Sequence, residues 1–353
     1  MRFVALGVAV LCSTLYSQDS TFFFYRNLPY GSEALYNPLT VILNGSYDVL
    51  QFDGMPRNIS RYPYYRGGKN VIANLGNPFP AIRRFGVGNF LQQELLPLNT
   101  STKKSAGWPN YNLHLIGGGM TYAALSEWYA LHGFDYPNTA AGITVGVQHL
   151  LNETIEAADV NGDNIDAIAD VYVFDLAGTI LFSFDDVQQL FGETLNLRDW
   201  SFQPMFSLRD GTLHNNGQYF SMKWRWFNDK HWHAFYFFGL EGLAGASYRL
   251  DDGTAISGGF GFRGKKRSIV DKQHNRYGVD LAWNMGFFYD YNNSLLASLF
   301  FSDTLNDMVT LNLYPGVVEL FGISPGIAVI VNDQLQPTFG VTLTYVPGVV
   351  VTK

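Results

Sequence analysis

Gln218-Tyr219-Phe220-Ser221-Met222-Lys223-Trp224-Arg225-Trp226-Phe227 decides how this chain is read. Phe220, Met222, Trp224 and Trp226 alternate with Tyr219, Ser221, Lys223 and Arg225, a period of two that marks a strand with one apolar and one polar face. Phe339, Val341, Leu343 and Tyr345 alternate with Gly340, Thr342 and Thr344 in the same manner. Between such runs stand Asn228-Asp229-Lys230, Asp251-Asp252-Gly253, Asn292-Asn293, Asn306-Asp307 and Asn332-Asp333. These turn residues tolerate positive φ or bond their own backbone. About eight strands are expected, near 218–227, 232–248, 254–263, 276–291, 294–302, 308–315, 321–331 and 336–346. The last residues, Val349-Val350-Val351-Thr352-Lys353, are not aromatic, so Tyr345 would serve as the terminal aromatic of a barrel.

Composition fits strands facing lipid. Among 353 residues there are 21 Tyr, 28 Phe and 7 Trp, and charged residues make up only 15%, against about 25% in soluble domains. Apolar and small polar residues are evenly mixed, which suits a β-barrel better than a helical membrane protein. Net charge is −7, and no basic stripe is present, so nucleic acid is excluded as a partner. The one basic run, Arg263-Gly264-Lys265-Lys266-Arg267, is expected in a solvated loop end between strands or at lipid headgroups.

Residues 1–17 read as a signal peptide: Arg2, an apolar stretch from Phe3 to Leu11, then small residues at Ser13, Thr14 and Ser17. Cys12 is the only cysteine, so the exported chain folds without disulfides. Residues 18–112 are rich in Pro, Asn and Tyr and give short elements, of which Leu39–Phe52 and Phe85–Leu96 are the most regular. Residues 113–195 read as helical and 196–353 as sheet. The fold class expected is therefore α+β. A C-terminal antiparallel transmembrane-type β-barrel of about eight strands, more if N-terminal strands join it, follows three or four helices.

The helices are expected at Leu113–Leu131, Thr139–Ala158 and Asp166–Phe184, with a short fourth to about Glu193 opened by a Ser183-x-x-Asp186 capping box. Gly117-Gly118-Gly119 lacks the Lys and Ser/Thr of a phosphate loop and points to close helix packing. Ile143, Val147, Leu150, Leu151 and Ile155 form the expected core-facing stripe of the second helix. On its other side His149, Asn152, Glu153 and Glu156 share a stripe, and Asp163, Asp166 and Asp170 are similarly spaced ahead. His149, Glu153, Asp166 and Asp170 are thus candidates for acid–base work, because crowded carboxylates push each other's pKa values apart. The plainer alternative is two wet helix faces.

A second candidate is a calcium or other divalent-cation site. Asp159, Asn161, Asp163 and Asp170 occupy positions 1, 3, 5 and 12 of an EF-hand-like or dockerin-like loop, with Asn164 where Gly normally stands. The other reading of that loop is a polar interhelical turn. Asp175, alone in an apolar helix, must have a partner, expected to be a backbone group or a Tyr. His231 and His233, flanking Trp232, are expected beside an interfacial aromatic girdle.

The runs Asn110-Tyr111-Asn112-Leu113-His114-Leu115-Ile116-Gly117-Gly118-Gly119, Glu127-Trp128-Tyr129, Leu151-Asn152-Glu153-x-x-Glu156 and Asp166-x-x-Ala169-Asp170-x-x-x-Phe174-Asp175-x-x-Gly178 resemble an uncharacterised family of bacterial envelope proteins with a helical segment before a barrel-like C-terminus. A looser similarity is to VanZ-like and YfiM-like helical domains. The resemblance implies an envelope location and singles out His114, Asn152, Glu153, Glu156, Asp166, Asp170 and Asp175; it implies no activity. The functional expectation is an exported outer-membrane barrel meeting membrane lipids, without enzymatic activity, serving envelope organisation or passage of a small solute or lipid. The alternatives are a lipid- or glycolipid-modifying enzyme using the His/carboxylate cluster and a periplasmic or secreted calcium-binding protein.

Overall fold

The computed structural model describes residues 22–96, 106–226, 229–271 and 273–352. The expected signal peptide and Cys12 lie outside the described residues. Eight helices precede the sheet. They are α1 (Pro38–Ser46), α2 (Tyr64–Gly76), α3 (Pro78–Phe85), α4 (87–95), α5 (107–131), α6 (Pro137–Glu156), α7 (165–181) and α8 (185–194). Local chemistry sets several starts. Asn37 accepts from the Thr40 N–H at 3.1 Å just ahead of Pro38, and Asn164 caps α7 through the Ala167 N–H. The expected capping box at Ser183 does not form: α8 starts at Asp185 without a side-chain cap, and the Ser183 hydroxyl instead donates back to the Ile180 carbonyl. The two regular segments foreseen between 18 and 112 are helical, not strands. Their residues share a core with later ones, Leu43, Tyr47 and Leu50 packing with Ile155 and Ala158.

The sheet has thirteen strands: β1 (Arg198–Asp199), β2 (Met205–Ser207), β3 (Leu213–His214), β4 (Phe220–Arg225), β5 (Trp232–Phe238), β6 (Glu241–Arg249), β7 (Thr254–Asp271), β8 (Arg276–Tyr291), β9 (Ser294–Ser302), β10 (Val309–Leu313), β11 (Gly326–Val331), β12 (Pro337–Leu343) and β13 (Val346–Thr352). Their order is β1-β4-β5-β6-β7-β8-β9-β10-β11-β12-β13-β2-β3, antiparallel except where β13 runs parallel to β2. As paired, the order is open, with β1 and β3 at its ends. Thirteen strands replace the eight expected because 232–248 contains a turn, three short strands precede β4, and the valine run forms β13. Tyr345, at φ 65°, stands in the β12–β13 turn. Asn292 and Asn293, at φ 50° and 61°, make the foreseen two-residue turn between β8 and β9.

The basic run is not a loop. It lies inside β7, where Arg263 faces Glu241 on β6 and Arg267 reaches Glu156 at 2.9 Å. Distant carboxylates keep the strand going through charges that would otherwise end it.

The alternation is inverted relative to a water-soluble sheet. On β8, Leu281, Trp283, Phe287 and Tyr289 are 49%, 45%, 46% and 42% exposed, whereas Asn284 and Asp290, on the opposite face, are fully buried. Ser257, Ser298, Thr310, Asn312 and Thr342 are also buried, beside exposed Ile256, Phe339 and Val341. The buried side holds an aromatic cluster, with Trp200, Phe235, Phe237, Phe288, Phe300 and Tyr314 at its heart. Across β4 and β5 the other face, Phe220, Met222 and Phe238, packs against α5, α6 and the strap Phe24–Tyr25. That strap is pinned by Glu127, whose carboxylate accepts the N–H groups of Phe23, Phe24 and Tyr25 at 2.6, 2.9 and 2.6 Å.

Candidate functional site

Three helices meet at one buried point. Within α5, residues Tyr111–Gly118 wind as a π-helix, and within α7 Asp170–Asp175 do the same. Such wide turns commonly accompany functional sites. Small residues let the two helices touch: a Cβ on Gly178 would lie 2.6 Å from the Leu115 carbonyl oxygen, and one on Gly119 would lie 2.7 Å from that of Gly178. The glycine run therefore serves helix packing, as its spacing suggested.

His114 comes from the wide turn of α5, His149 from α6, and Asp170 and Asp175 from α7. One oxygen of Asp175 lies 2.8 Å from Nδ1 of His114 and 3.1 Å from Nδ1 of His149. Nε2 of His114 is 3.6 Å from Asp170. Asp175 is thus partnered by two imidazoles, not by a backbone group or a Tyr. Nε2 of His149, Oδ1 of Asp170 and Oδ2 of Asp175 are buried with no hydrogen-bond partner.

Electrostatics separates the two histidines. Burial pulls His114 down, but the charge and hydrogen bond of Asp175, aided by Glu153 and Glu156, carry it up to about 9. For His149 burial prevails over Asp175, and with His114 nearby it falls to about 4. Burial, then neighbouring carboxylates, lifts both Glu153 and Asp170 well above the usual range. Glu94 and Asp48 are pushed to about 7, again mainly by burial.

A small open cleft runs alongside, lined by Glu94, Glu153, Glu156, Asp166, Arg267 and Arg276 among others. Glu153 links cleft to centre, since it stands on α6 one turn from His149 and within electrostatic reach of Asp170 and His114. Of the four residues expected to do acid–base work, His149 and Asp170 sit at the centre, Glu153 at the junction and Asp166 on the cleft wall. They are not a wet helix face. Of the stripe expected to face the core on α6, Leu151 and Ile155 do so, whereas Ile143, Val147 and Leu150 are 63%, 47% and 45% exposed. Asn152 is a strut, donating to Asp48 at 3.0 Å.

The four proposed calcium ligands diverge. Both oxygens of Asp163 bind Arg84 at 2.6 and 2.8 Å, the Asp159 side chain is 86% exposed, the Asn161 carbonyl accepts from Asn275, and Asp170 belongs to the histidine centre. The loop is a polar turn, with Gly162 supplying positive φ and its carbonyl accepting from Asn70 and Asn74. His231 and His233 bond strand backbone, and His231 stacks on Tyr248.

Sequence spacing missed Glu94 and Asp48, and it left His114 without a chemical role. Glu94 bonds Arg276 at 3.0 Å across 182 positions of sequence, beyond the reach of local spacing. The isolation of Asp175 in an apolar helix and the spacing of His149, Glu153 and Asp170 signalled that a polar centre existed there.

Compared with protein-family models, with curated proteins and with solved structures, the chain finds no match in any of the three.

Proposed function

We propose that the chain is an outer-membrane protein of a bacterial envelope, its sheet closed as a β-barrel with lipid on the apolar side. The observation that carries this reading is the exposed apolar face of β7, β8 and β12, with serines, asparagines and charged pairs turned inward beside the aromatic cluster. Closure is supported by residues 198–207, which supply both β1, paired with β4, and β2, paired with β13. Between them Trp200 N–H donates to Tyr219 and Phe202 N–H to Gly217, extending the same contact. The aromatic cluster fills the buried side, which argues against a wide solute path through it. The exposed apolar residues of α6, together with Tyr172, Leu176 and Ile180 on α7, suit lipid contact by the helical unit as well. No single helix among the described residues is long and apolar enough to cross a membrane. The test is heat-modifiable gel mobility, joined to quenching of Trp232 and Trp283 fluorescence by brominated lipid in vesicles. An unchanged mobility together with unquenched tryptophan would sink the barrel.

A second reading concerns what the helical unit does, and the buried histidine–carboxylate centre beside an open cleft favours it. Here the protein modifies an envelope lipid or glycolipid, with Glu153 as the base at the cleft. Incubating the vesicle-inserted protein with outer-membrane lipid extract, and following products by mass spectrometry, tests it. Products should form with the native chain and disappear with Glu153→Gln; products at equal rate in both would remove Glu153 from the chemistry.

A further inference from the structure

We propose that His114, His149 and Asp175 together hold one first-row divalent cation of the Zn²⁺ type. One nitrogen from each imidazole and one carboxylate oxygen lie within 4.8 Å of one another. They come from three helices and converge on one buried point.

Ligand chemistry selects the class of ion. Two imidazoles with one carboxylate suit Zn²⁺ or Fe²⁺, whereas Ca²⁺ and Mg²⁺ take all-oxygen shells. Three protein ligands leave a coordination position free, the arrangement of catalytic and not structural zinc sites. Asp170, 3.6 Å from His114, is placed to orient that ring as an outer partner.

Two independent observations point to a missing partner. Nε2 of His149 and Oδ1 of Asp170 are unpaired on residues only 6% and 4% exposed. Buried polar atoms left so are costly, about 1–3 kcal/mol each. Charge is the second. Glu153, Glu156, Asp166, Asp170 and Asp175 crowd this region, while Arg267 and Arg276 stand in the cleft and bind Glu156 and Glu94. A divalent cation would offset charges those arginines leave unbalanced. Gly118 keeps the space beside His149 clear, since a Cβ there would lie 3.2 Å from Nε2.

As a catalytic cofactor the ion rests on the enzyme reading above; its binding does not. The experiment uses the whole purified protein in detergent micelles, stripped with chelator and titrated with Zn²⁺ alone, then with Co²⁺ for its visible absorption. Folding of every variant is checked by its helical far-ultraviolet signal and its thermal transition. About one equivalent should bind, with a Co²⁺ spectrum of nitrogen-containing, low-coordinate geometry. His149→Ala and the near-isosteric Asp175→Asn should each weaken binding at least about tenfold, Asp170→Asn by about tenfold, and Asp163→Asn not at all. Folded native protein that binds no Zn²⁺ above background overturns the proposal, as does binding that survives both ligand substitutions. Loss tracking Asp163 would return the site to the α6–α7 loop. Metal binding without lipid turnover would sink the enzyme reading alone.

Discussion

In the sheet, charge is buried in opposite pairs: Lys223 meets both oxygens of Asp290 at 2.8 Å, and Arg263 faces Glu241 across a rung, 3.9 Å from Asp307. In the helical unit like charges are stacked, with Glu153, Glu156, Asp166 and Asp170 side by side around two imidazoles. The first arrangement sets each cation against a carboxylate. The second is stable only if protons or a cation complete it. The difference sets a sheet of opposite-charge pairs against a helical unit that carries the candidate site.

The largest effect should come from breaking a sheet pair. Asp290→Asn strands Lys223, which also lies 4.9 Å over the Trp200 ring, and should cost about 3–5 kcal/mol. Denaturant unfolding in micelles measures it; a loss under about 1 kcal/mol would mean water reaches the pair. Next comes the outer face. Phe260→Arg, on an exposed position of β7, should destabilise the vesicle-inserted protein by about 2–4 kcal/mol. A neutral or stabilising result would put that face in water and end the contrast drawn here.

Gly178→Ala sharpens the comparison from the helical side. Its methyl must push α7 off the Leu115 carbonyl, at about 1–3 kcal/mol, while the sheet keeps its heat-modifiable mobility. A further effect, spread over several pH units, is in pH. Asp48 and Glu94 have folded values near 7, above their unfolded ones, so the native state binds more protons between about pH 4 and 7. Their contribution is complete below the unfolded values and is lost as pH rises through about 7. The helical far-ultraviolet signal should therefore melt at lower temperature at about pH 8 than at about pH 5, by up to about 1.4 kcal/mol per group per pH unit. A helical transition that does not move with pH would show that these carboxyls are already compensated.

Much of the sheet could be read from local pattern. β8 and β9 fall where the alternation and the Asn292-Asn293 turn put them, and the long helices α6 and α7 were legible from period and breakers. What local pattern does not encode is which side meets what. On α6 the period is right, yet Ile143 and Val147 face out and His149 and Glu153 face in, because a stripe carries no label for solvent or lipid. β7 outran its expected end at 263, and beyond it Arg267 pairs with Glu156, far off in sequence, at 2.9 Å. The histidine centre was half visible. His149, Glu153 and Asp170 share regular spacings, but His114 and Asp175 join them only through the contact of α5 with α7.

The parallel pairing of β13 with β2 carries a consequence for how the molecule is assembled. Met205, Phe206 and Ser207 dock against Gly348, Val349 and Val350, so an early piece of the sheet cannot find its neighbour until every intervening hairpin has been made. Joining such distant partners is slow, and until then both edges stay open to other chains. A cell making this chain must shield those edges until β2 and β13 have met.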